Sequence, residues 1–274
     1  MPIIIFSSDS YQKSSELAKK TAEALGYKYV GREILGPVAA KYNIPEAKLT
    51  KALDEAPSFF GMSTKEWKQN LAYIQEAVLG EMLADNVVCC GLAAHLYVLG
   101  VSHVLRVRII EDPEERVRKV AEQGHITLEK AKKLVQRIDK QRKRRSIECF
   151  KKNETDPSMY DMMINTSQID SEEAVGMVTT AAGYRKFKPM TYSIKCMQDM
   201  ELEGRLLVVL LKDYPEVRVQ ARDGAVVVEI KALKREKNKK ASAIKELVGK
   251  ISGVHYVEVH VINDIFRQAA ESGR

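Results

Sequence analysis

Short apolar runs alternate with amphipathic segments along residues 1–182. Residues 3–6 and 87–90 are apolar throughout, as in strands that are buried on both faces of a parallel sheet. Residues 67–83 place apolar side chains three and four positions apart, which predicts a helix with one buried face. The same two patterns predict further strands at 27–30, 104–110 and 162–165, and further helices beginning at 15, 34, 113, 128 and 171.

This alternation predicts an α/β fold with a doubly wound parallel sheet. Capping residues support the helix boundaries. Asp112 and Thr127 have side chains that can accept hydrogen bonds at a helix start. Asp170 with Glu173 three positions later is a capping-box pattern, and Gly26 suits the left-handed residue after a helix.

The pattern changes after residue 182. Residues 183–200 are rich in glycine, lysine, proline and polar residues, which predicts a linker. Strands are then predicted at 217–221 and 225–230 around the turn-forming pair Asp223-Gly224. A helix at 239–251 and a strand at 254–261 complete a small α+β unit. We therefore predict three parts: an α/β domain at 1–185, a linker at 186–200 and an α+β domain at 201–268.

Composition narrows the class of protein. The chain has 274 residues, of which 45% are apolar and 30% charged, so it can bury a core. No apolar run approaches the roughly 20 residues that span a bilayer, and Met1-Pro2 does not begin like a signal peptide. The four cysteines form no C-x-x-C pair, and adjacent Cys89 and Cys90 would face opposite sides of a strand. We expect a reduced, cytoplasmic protein without a membrane span.

The net charge of +7 comes from two basic segments. Residues 137–152 and residues 231–250 each contain eight lysines and arginines against two acidic residues. Such segments are typical of surfaces that bind anions or nucleic acid, but also of solvated helix faces. The charge pattern leaves these alternatives open.

Residues 3–14 have the layout of a phosphate-binding loop: an apolar strand, a polar turn, Lys13-Ser14 and a helix. The full pattern is G-x-x-x-x-G-K-[ST], and here Ser7 and Gln12 replace the two glycines. Those glycines allow backbone N–H groups to converge on phosphate oxygens. Lys13-Ser14 is therefore either what is left of a phosphate site or only a polar helix start.

In the order and spacing of its motifs, the segment 1–182 resembles the cytidylate kinase-like family of P-loop nucleoside monophosphate kinases. The likeness is carried by ELA at 16–18, LGY at 25–27, REIL at 32–35, APSFF at 56–60, LRVRI at 105–109, DPSMYD at 156–161 and INTS at 164–167. It implies a P-loop kinase-type sheet with a mobile helical lid. It also implies transfer of the ATP γ-phosphate to a nucleoside monophosphate, with ATP and Mg²⁺ as cofactors if the protein is active.

The resemblance assigns roles to two parts of the chain. Lys13 would contact the donor phosphates, and Ser14 would assist Mg²⁺. In the basic lid, Arg137 and Arg142 would stabilise the transferred charge, because phosphoryl transfer depends mainly on positioning and on cations. The nucleotide-binding residues would be Ser8, Ser10, Lys13, Ser14 and Ser15.

The chain departs from the family pattern at three sites, and the first is the phosphate loop. Besides Ser7 and Gln12, the chain has Leu92 after Gly91 where the family carries an arginine, and Gly31 where it usually carries an aspartate. A leucine cannot hold an acceptor phosphate as an arginine does. The departures support a second hypothesis, a catalytically inactive regulatory protein that binds a nucleotide or another anion. A third is an interaction or nucleic-acid-binding module that uses the basic segments.

Residues 202–266 resemble a BON-type domain. The likeness rests on the turn at 222–224 (RDG) and on ISGV at 251–254. It implies contacts with a ligand, phospholipid or protein, so we expect a protein partner for this domain. The basic stretch 231–240 would be an anion-binding edge or a solvated loop.

Overall fold

A computed structural model describes residues 2–58 and 61–263 of the chain. Phe59-Phe60 of the family-like segment and residues 264–268 of the predicted C-terminal domain lie outside the described residues. The strands are β1 (Ile3–Ser8), β2 (Lys28–Val30), β3 (Val87–Cys90), β4 (Val104–Ile110), β5 (Met162–Asn165), β6 (Arg218–Arg222), β7 (Ala225–Ala232) and β8 (Tyr256–Asn263). The helices are α1 (Tyr11–Leu25), α2 (Leu35–Tyr42), α3 (Glu46–Asp54), α4 (Thr64–Met82), α5 (Ala94–Tyr97), α6 (Pro113–Gly124), α7 (Leu128–Phe150), α8 (Ser171–Ala182), α9 (Thr191–Leu210) and α10 (Lys237–Gly249).

The first sheet has the order β2-β3-β1-β4-β5, and every neighbouring pair is parallel. Parallel neighbours need crossover connections, which the helices supply. Strand β1 lies at the centre, between β3 and β4, so the connections leave it toward both sides of the sheet. Ligands of such sheets bind beyond the carboxyl ends of the strands at this point. The predicted α/β fold class is confirmed.

Side chains of the central strands alternate between two cores. Ile3 and Ile5 pack in one hydrophobic cluster, while Ile4 and Phe6 pack in the other. Cys89 and Cys90 are both fully buried and belong to different clusters, as predicted. The sheet is therefore covered on both faces, which explains why β3 and residues 3–6 of β1 are apolar at every position.

The predicted helix caps are present. Asp112 accepts hydrogen bonds from two backbone N–H groups of α6, and Thr127 accepts one in α7. Asp170 and Glu173 form the reciprocal capping box of α8, and Gly26 ends α1 with φ at +67°. Helices α6 and α7 pack against each other as a hairpin at the position predicted for the lid. None of the helices in the described ranges is long and apolar enough to cross a membrane.

The second sheet is small and mixed. Strands β6 and β7 are antiparallel and joined at Asp223-Gly224, where φ is +48° and +77°, as a tight hairpin turn requires. Strand β8 then pairs in parallel with β7. One face of this sheet packs Val226 and Val228 against Ile244 of α10. The predicted small α+β unit is thus present after the first sheet.

Residues 186–200, which we predicted to be a linker, are largely helical in the structure. A short 3-10 turn at Arg185–Phe187 leads into α9, which is 20 residues long. Met197 of α9 packs in the core of the first sheet, and Leu206 packs in the core of the second. Gly204 allows close contact with α4, because a Cβ there would lie 3.3 Å from Leu79 Cδ1. The segment is helical and packed; the division into domains stays a prediction.

Candidate functional site

The turn between β1 and α1 is only two residues long. Ser10 N donates to Ser8 Oγ (2.9 Å), which closes the turn, and Asp9 forms an ion pair with Arg108 of β4. None of the residues from Ser7 to Ser14 has a positive φ. A complete phosphate loop spans eight residues and needs glycine flexibility. Residues 7–14 span the eight positions of the motif, but Ser7-Ser8 belong to β1 and Tyr11–Ser14 to α1, so the segment lacks the glycine conformation of a complete phosphate loop.

Lys13 and Ser14 are occupied by contacts within the protein. Lys13 Nζ donates to Ser171 Oγ at the start of α8 (3.3 Å). Ser14 is buried, and its hydroxyl lies 3.1 Å from the Ser10 carbonyl oxygen, to which it can donate. The thiol of Cys90, at the end of β3, donates to Ser14 Oγ (3.3 Å). The hydroxyl is thus directed at its own helix and the sheet.

The Tyr11 ring fills the space above the end of β3. Gly91 has φ at +75°, and a Cβ there would lie 2.3 Å from the ring. The Tyr11 hydroxyl accepts a hydrogen bond from Arg32 N (3.0 Å), and the Arg32 guanidinium lies 4.7 Å from the ring centre. Beside it, Ser15 Oγ and Tyr29 Oη share a hydrogen bond (2.7 Å). Polar and aromatic side chains thus fill this end of the sheet.

Leu92 and Gly31, the two other departures, have structural explanations. Leu92 is fully buried in the core below the sheet, where an arginine would be a buried charge. A Cβ at Gly31 would lie 2.3 Å from the Tyr29 hydroxyl oxygen. The backbone N–H of Gly31 donates to Glu33 Oε1 (2.8 Å). Neighbouring side chains have therefore taken the space that a side chain at 31 would need.

A buried carboxylate, Glu154, lies behind the turn among three cationic or polar side chains. Its Oε2 accepts a hydrogen bond from Arg145 Nη2 (2.7 Å), and its Oε1 lies 3.7 Å from Arg142 Nε. His95 Nε2 is 3.9 Å from Oε2. Burial alone would raise the pKa of Glu154, but Arg145 and Arg142 outweigh it and hold the pKa below its usual value. The carboxylate is therefore ionised.

His95 is neutral in this cluster, because burial lowers its pKa to about 3 against the opposing effect of Glu154. A small cavity of about 20 Å³ adjoins it, lined also by Ser14, Arg142 and Arg145. His95 Nε2 and Arg145 Nε are buried and have no hydrogen-bond partner in the described part of the chain. A cavity of this size accommodates one water molecule.

A larger open cleft lies beside the cavity. Its volume is about 480 Å³, within the usual range of small-molecule sites. Arg142 contributes to both the cavity and the cleft. On one wall Arg32 forms an ion pair with Asp54, with Nη1 and Oδ2 3.0 Å apart. The lining consists of Asp9, Tyr11, Arg32, Asp54, Glu55, Arg137, Ile138, Gln141 and Arg142.

Two of the predicted site residues meet in this cleft. Arg137 and Arg142, five positions apart on α7, both line it. Arg137 is exposed and forms no ion pair with a described residue. Ser8 and Ser14 line the small cavity instead, whereas Ser10, Lys13 and Ser15 line neither space. Four of the seven predicted residues thus line the cleft or the cavity and three line neither, and the roles of all seven stay predictions.

The sequence did not single out Arg108, His95 or Glu154. Arg108 donates to Ser7 Oγ (2.9 Å) as well as pairing with Asp9. The only sequence signal for this cluster is the three-residue spacing of Arg142 and Arg145, which places both on one side of a helix. The groups that face them come from distant parts of the chain.

Metal ligands are not grouped at this site. No cluster of three or more His, Cys, Asp or Glu in the described ranges is placed to hold a metal ion. Asp9 is paired with Arg108, and the Ser14 hydroxyl is directed at the Ser10 carbonyl. The oxygen set that Mg²⁺ prefers is therefore not assembled at the β1–α1 turn.

Comparison with known proteins agrees with the order of the motifs. Residues 3–168 match the model of the cytidylate kinase-like family. No curated protein matches the chain. Among solved structures, an uncharacterized protein from Eubacterium ventriosum is 18% identical, with a TM-score of 0.49; the match covers 68% of this chain and 100% of that one. Because the family match extends over more than half of the 274 residues, this chain belongs to the cytidylate kinase-like family.

Proposed function

We propose that the protein binds a nucleoside monophosphate, or a similar small phosphate ester, in the cleft beside α7. One observation carries the proposal: Arg137 and Arg142 line the same cleft, and neither is in a close ion pair. Arg142 Nε is 3.7 Å from Glu154, and Arg137 pairs with no described residue. Guanidinium groups bind phosphate oxygens through paired charge-assisted hydrogen bonds.

The other wall of the cleft suits the nucleoside part of such a ligand. Glu55 offers carboxylate oxygens at the end of α3, and Asp54 beside it already accepts hydrogen bonds from Arg32 on both oxygens. Carboxylates accept hydrogen bonds from ribose hydroxyls and from the amino group of a base. The Tyr11 ring lines the cleft as well and offers an apolar surface for stacking. Cations and acceptors are therefore available on different walls.

Transfer of the ATP γ-phosphate to the bound monophosphate is the second candidate function. Family membership favours it, since kinase-like proteins of this kind usually use ATP and Mg²⁺. The residues at the β1–α1 turn do not fit ATP and Mg²⁺. The turn is two residues long, the Ser14 hydroxyl donates to the Ser10 carbonyl of its own helix start, and Lys13 donates a hydrogen bond to Ser171. We therefore place ligand binding ahead of catalysis and derive no transfer step.

Binding of CMP is the direct test. We expect CMP to raise the thermal unfolding midpoint of the wild-type protein, because a ligand that binds only the folded state stabilises it. Arg137→Ala should weaken CMP binding about tenfold, as for the loss of one charge-assisted contact. Lys133→Ala is the matched control, since Lys133 is an exposed cation of α7 that pairs with Glu129 away from the cleft. Its affinity should equal that of the wild type.

Two results would change this conclusion. If CMP, CDP, ATP and their Mg²⁺ mixtures all fail to stabilise the protein, the cleft is not a nucleotide site. If the protein forms ADP from ATP and CMP, and Lys13→Ala abolishes the reaction, the kinase candidate replaces the binding proposal.

The C-terminal unit has a separate and less defined role. Its BON-like resemblance and a protein partner stay predictions. Several lysines of the basic segment are paired with carboxylates, as in Lys240 with Glu236 (2.8 Å) and Lys250 with Glu246 (2.7 Å). This pairing favours a solvated helix face over a nucleic-acid surface.

A further inference from the structure

Positive charge exceeds negative charge in the buried cluster behind the cleft. The guanidiniums of Arg108, Arg142 and Arg145 face two carboxylates, Asp9 and Glu154. Arg108 forms an ion pair with Asp9, and Glu154 lies near both Arg142 and Arg145. Because His95 is neutral, the cluster keeps one positive charge in excess. Buried excess charge is unfavourable unless a further anion balances it.

Glu154 holds the position that a ligand phosphate would need. Arg142 lines both the cavity and the cleft, so an anion in the cleft can contact the same guanidinium that Glu154 faces. The Glu154 carboxylate already lies between Arg142 and Arg145, at 3.7 Å and 2.7 Å. Two anions cannot share these guanidiniums without repulsion in a site screened from water.

The backbone of Glu154 is fixed, whereas its carboxylate has few partners. Its N–H donates to Ser146 Oγ (3.2 Å), and its carbonyl accepts a hydrogen bond from the Tyr160 hydroxyl (2.6 Å). Its carboxylate, by contrast, has one close hydrogen bond, from Arg145. Rotation of the side chain would therefore release both arginines without moving the chain.

A purely structural ion pair does not account for the polar groups around it. His95 Nε2 and Arg145 Nε are buried and unpartnered in the described part of the chain, and both residues line the cavity of about 20 Å³. Buried donors and acceptors are nearly always satisfied. Arg145 Nε–H is a donor without an acceptor in this part of the chain, so the cluster has room for a further acceptor oxygen, from a water molecule or from an anion.

We propose that Glu154 is an internal competitor for phosphate: its carboxylate occupies Arg142 and Arg145, and a phosphate group in the cleft must displace it to bind both. The inference rests on the proposed function, since it concerns the same cleft. It adds that Arg145 belongs to the phosphate site and that Glu154 sets the affinity of that site. Removal of the carboxylate should therefore strengthen phosphate binding.

Glu154→Gln tests this with inorganic phosphate and sulfate as probes. We expect its affinity for both ions to exceed that of the wild type by about tenfold or more, the scale of a charge-assisted hydrogen bond. Glu148→Gln is the matched control, because Glu148 lies on α7, the helix of Arg142 and Arg145, and pairs with Arg144 outside the cluster (2.6 Å). Its affinity should not change. A folded Glu154→Gln protein with wild-type affinity would overturn the proposal.

Two further variants keep the test decisive. Arg145→Ala combined with Glu154→Gln removes the pair together and should cancel the gain in affinity; an undiminished gain would exclude Arg145 from the site. If Glu154→Gln does not fold, Glu154→Asp shortens the side chain by one methylene and keeps its charge. We then expect an affinity above that of the wild type, and an unchanged affinity would refute the competitor role.

The outcomes also separate this inference from the proposed function. Tighter phosphate binding by Glu154→Gln, with no CMP binding by either protein, would uphold the competitor and refute the nucleotide site. CMP binding by the wild type, with unchanged phosphate affinity in Glu154→Gln, would uphold the nucleotide site and refute the competitor role.

Discussion

The Glu203→Gln substitution should make the protein more stable at high pH and leave it little changed at low pH. Glu203 lies on α9 and accepts a hydrogen bond from Ala221 N of β6 (2.8 Å). Burial is the main cause that raises its pKa from 4.5 to about 7; the hydrogen bond from Ala221 N partly opposes the shift, and the negative charge of Asp199 one turn earlier contributes to it. No cation opposes this shift. The folded protein therefore favours the protonated carboxyl.

The magnitude follows from the two pKa values. A group whose pKa is raised on folding contributes stability that is fully present below its unfolded pKa and is lost as the pH rises through its folded pKa. Because the pKa of Glu203 rises from 4.5 in the unfolded chain to about 7 in the folded protein, the free energy of unfolding falls by at most about 3 kcal/mol as the carboxyl ionises. Glutamine does not ionise, and its amide oxygen can still accept the Ala221 N–H. Relative to the wild type, Glu203→Gln should gain up to that amount between pH 4 and pH 8.

Urea unfolding at pH 4, 6 and 8, followed by circular dichroism, measures this difference. The control is Glu201→Gln, because Glu201 lies on the same helix and pairs with Arg205 (2.7 Å). It should show no gain as the pH rises. A Glu203→Gln advantage that is the same at all three pH values would refute the reasoning, since it would not arise from ionisation.

Two other substitutions test packing near the site. Gly91→Ala should destabilise the protein by about 1–3 kcal/mol, because φ is +75° and the added Cβ would lie 2.3 Å from the Tyr11 ring. In thermal unfolding the loss should shrink in a Tyr11→Ala background, and an equal loss there would contradict the contact. Trp67→Phe should cost about 1–3 kcal/mol in urea unfolding. The buried indole N–H donates to the carbonyls of Ala52 (3.1 Å) and Glu55 (3.0 Å), and a loss below about 0.5 kcal/mol would show that these bonds add little.

Strands β1 and β3 were predictable because burial on both faces leaves a continuous apolar run at residues 3–6 and 87–90. Strands β3, β4 and β5 and helix α8 have the bounds that the sequence predicts. Helix α1 begins at Tyr11, four residues before the predicted start. Its first turn, Tyr11 to Ser14, shows no apolar periodicity, since those side chains contact Gly91, Ser171 and Cys90.

The helical segment 191–200 and the Glu154 cluster were not predictable, for two different reasons. Tyr192 and Ile194 of α9 are exposed, so the apolar periodicity that marks a buried helix face is weak there. Glu154 is ordinary in the sequence. Its importance arises because α7 ends at Phe150, the next residue, Lys151, has φ at +55°, and the chain turns back so that Glu154 pairs with Arg145. The run of lysines and arginines marked the lid in the sequence, but only the fold shows which carboxylate Arg142 and Arg145 face.

Helix α9 makes the two sheets depend on each other for solubility. Leu79 and Ala72 of α4 belong to different hydrophobic clusters, and α9 packs along that helix between them. A protein shortened to residues 1–185 would therefore present an uncovered apolar strip to water, of the kind that promotes association. Such a fragment should self-associate rather than remain a monomeric kinase-like domain. The full chain should in turn lose both sheets in a single unfolding transition.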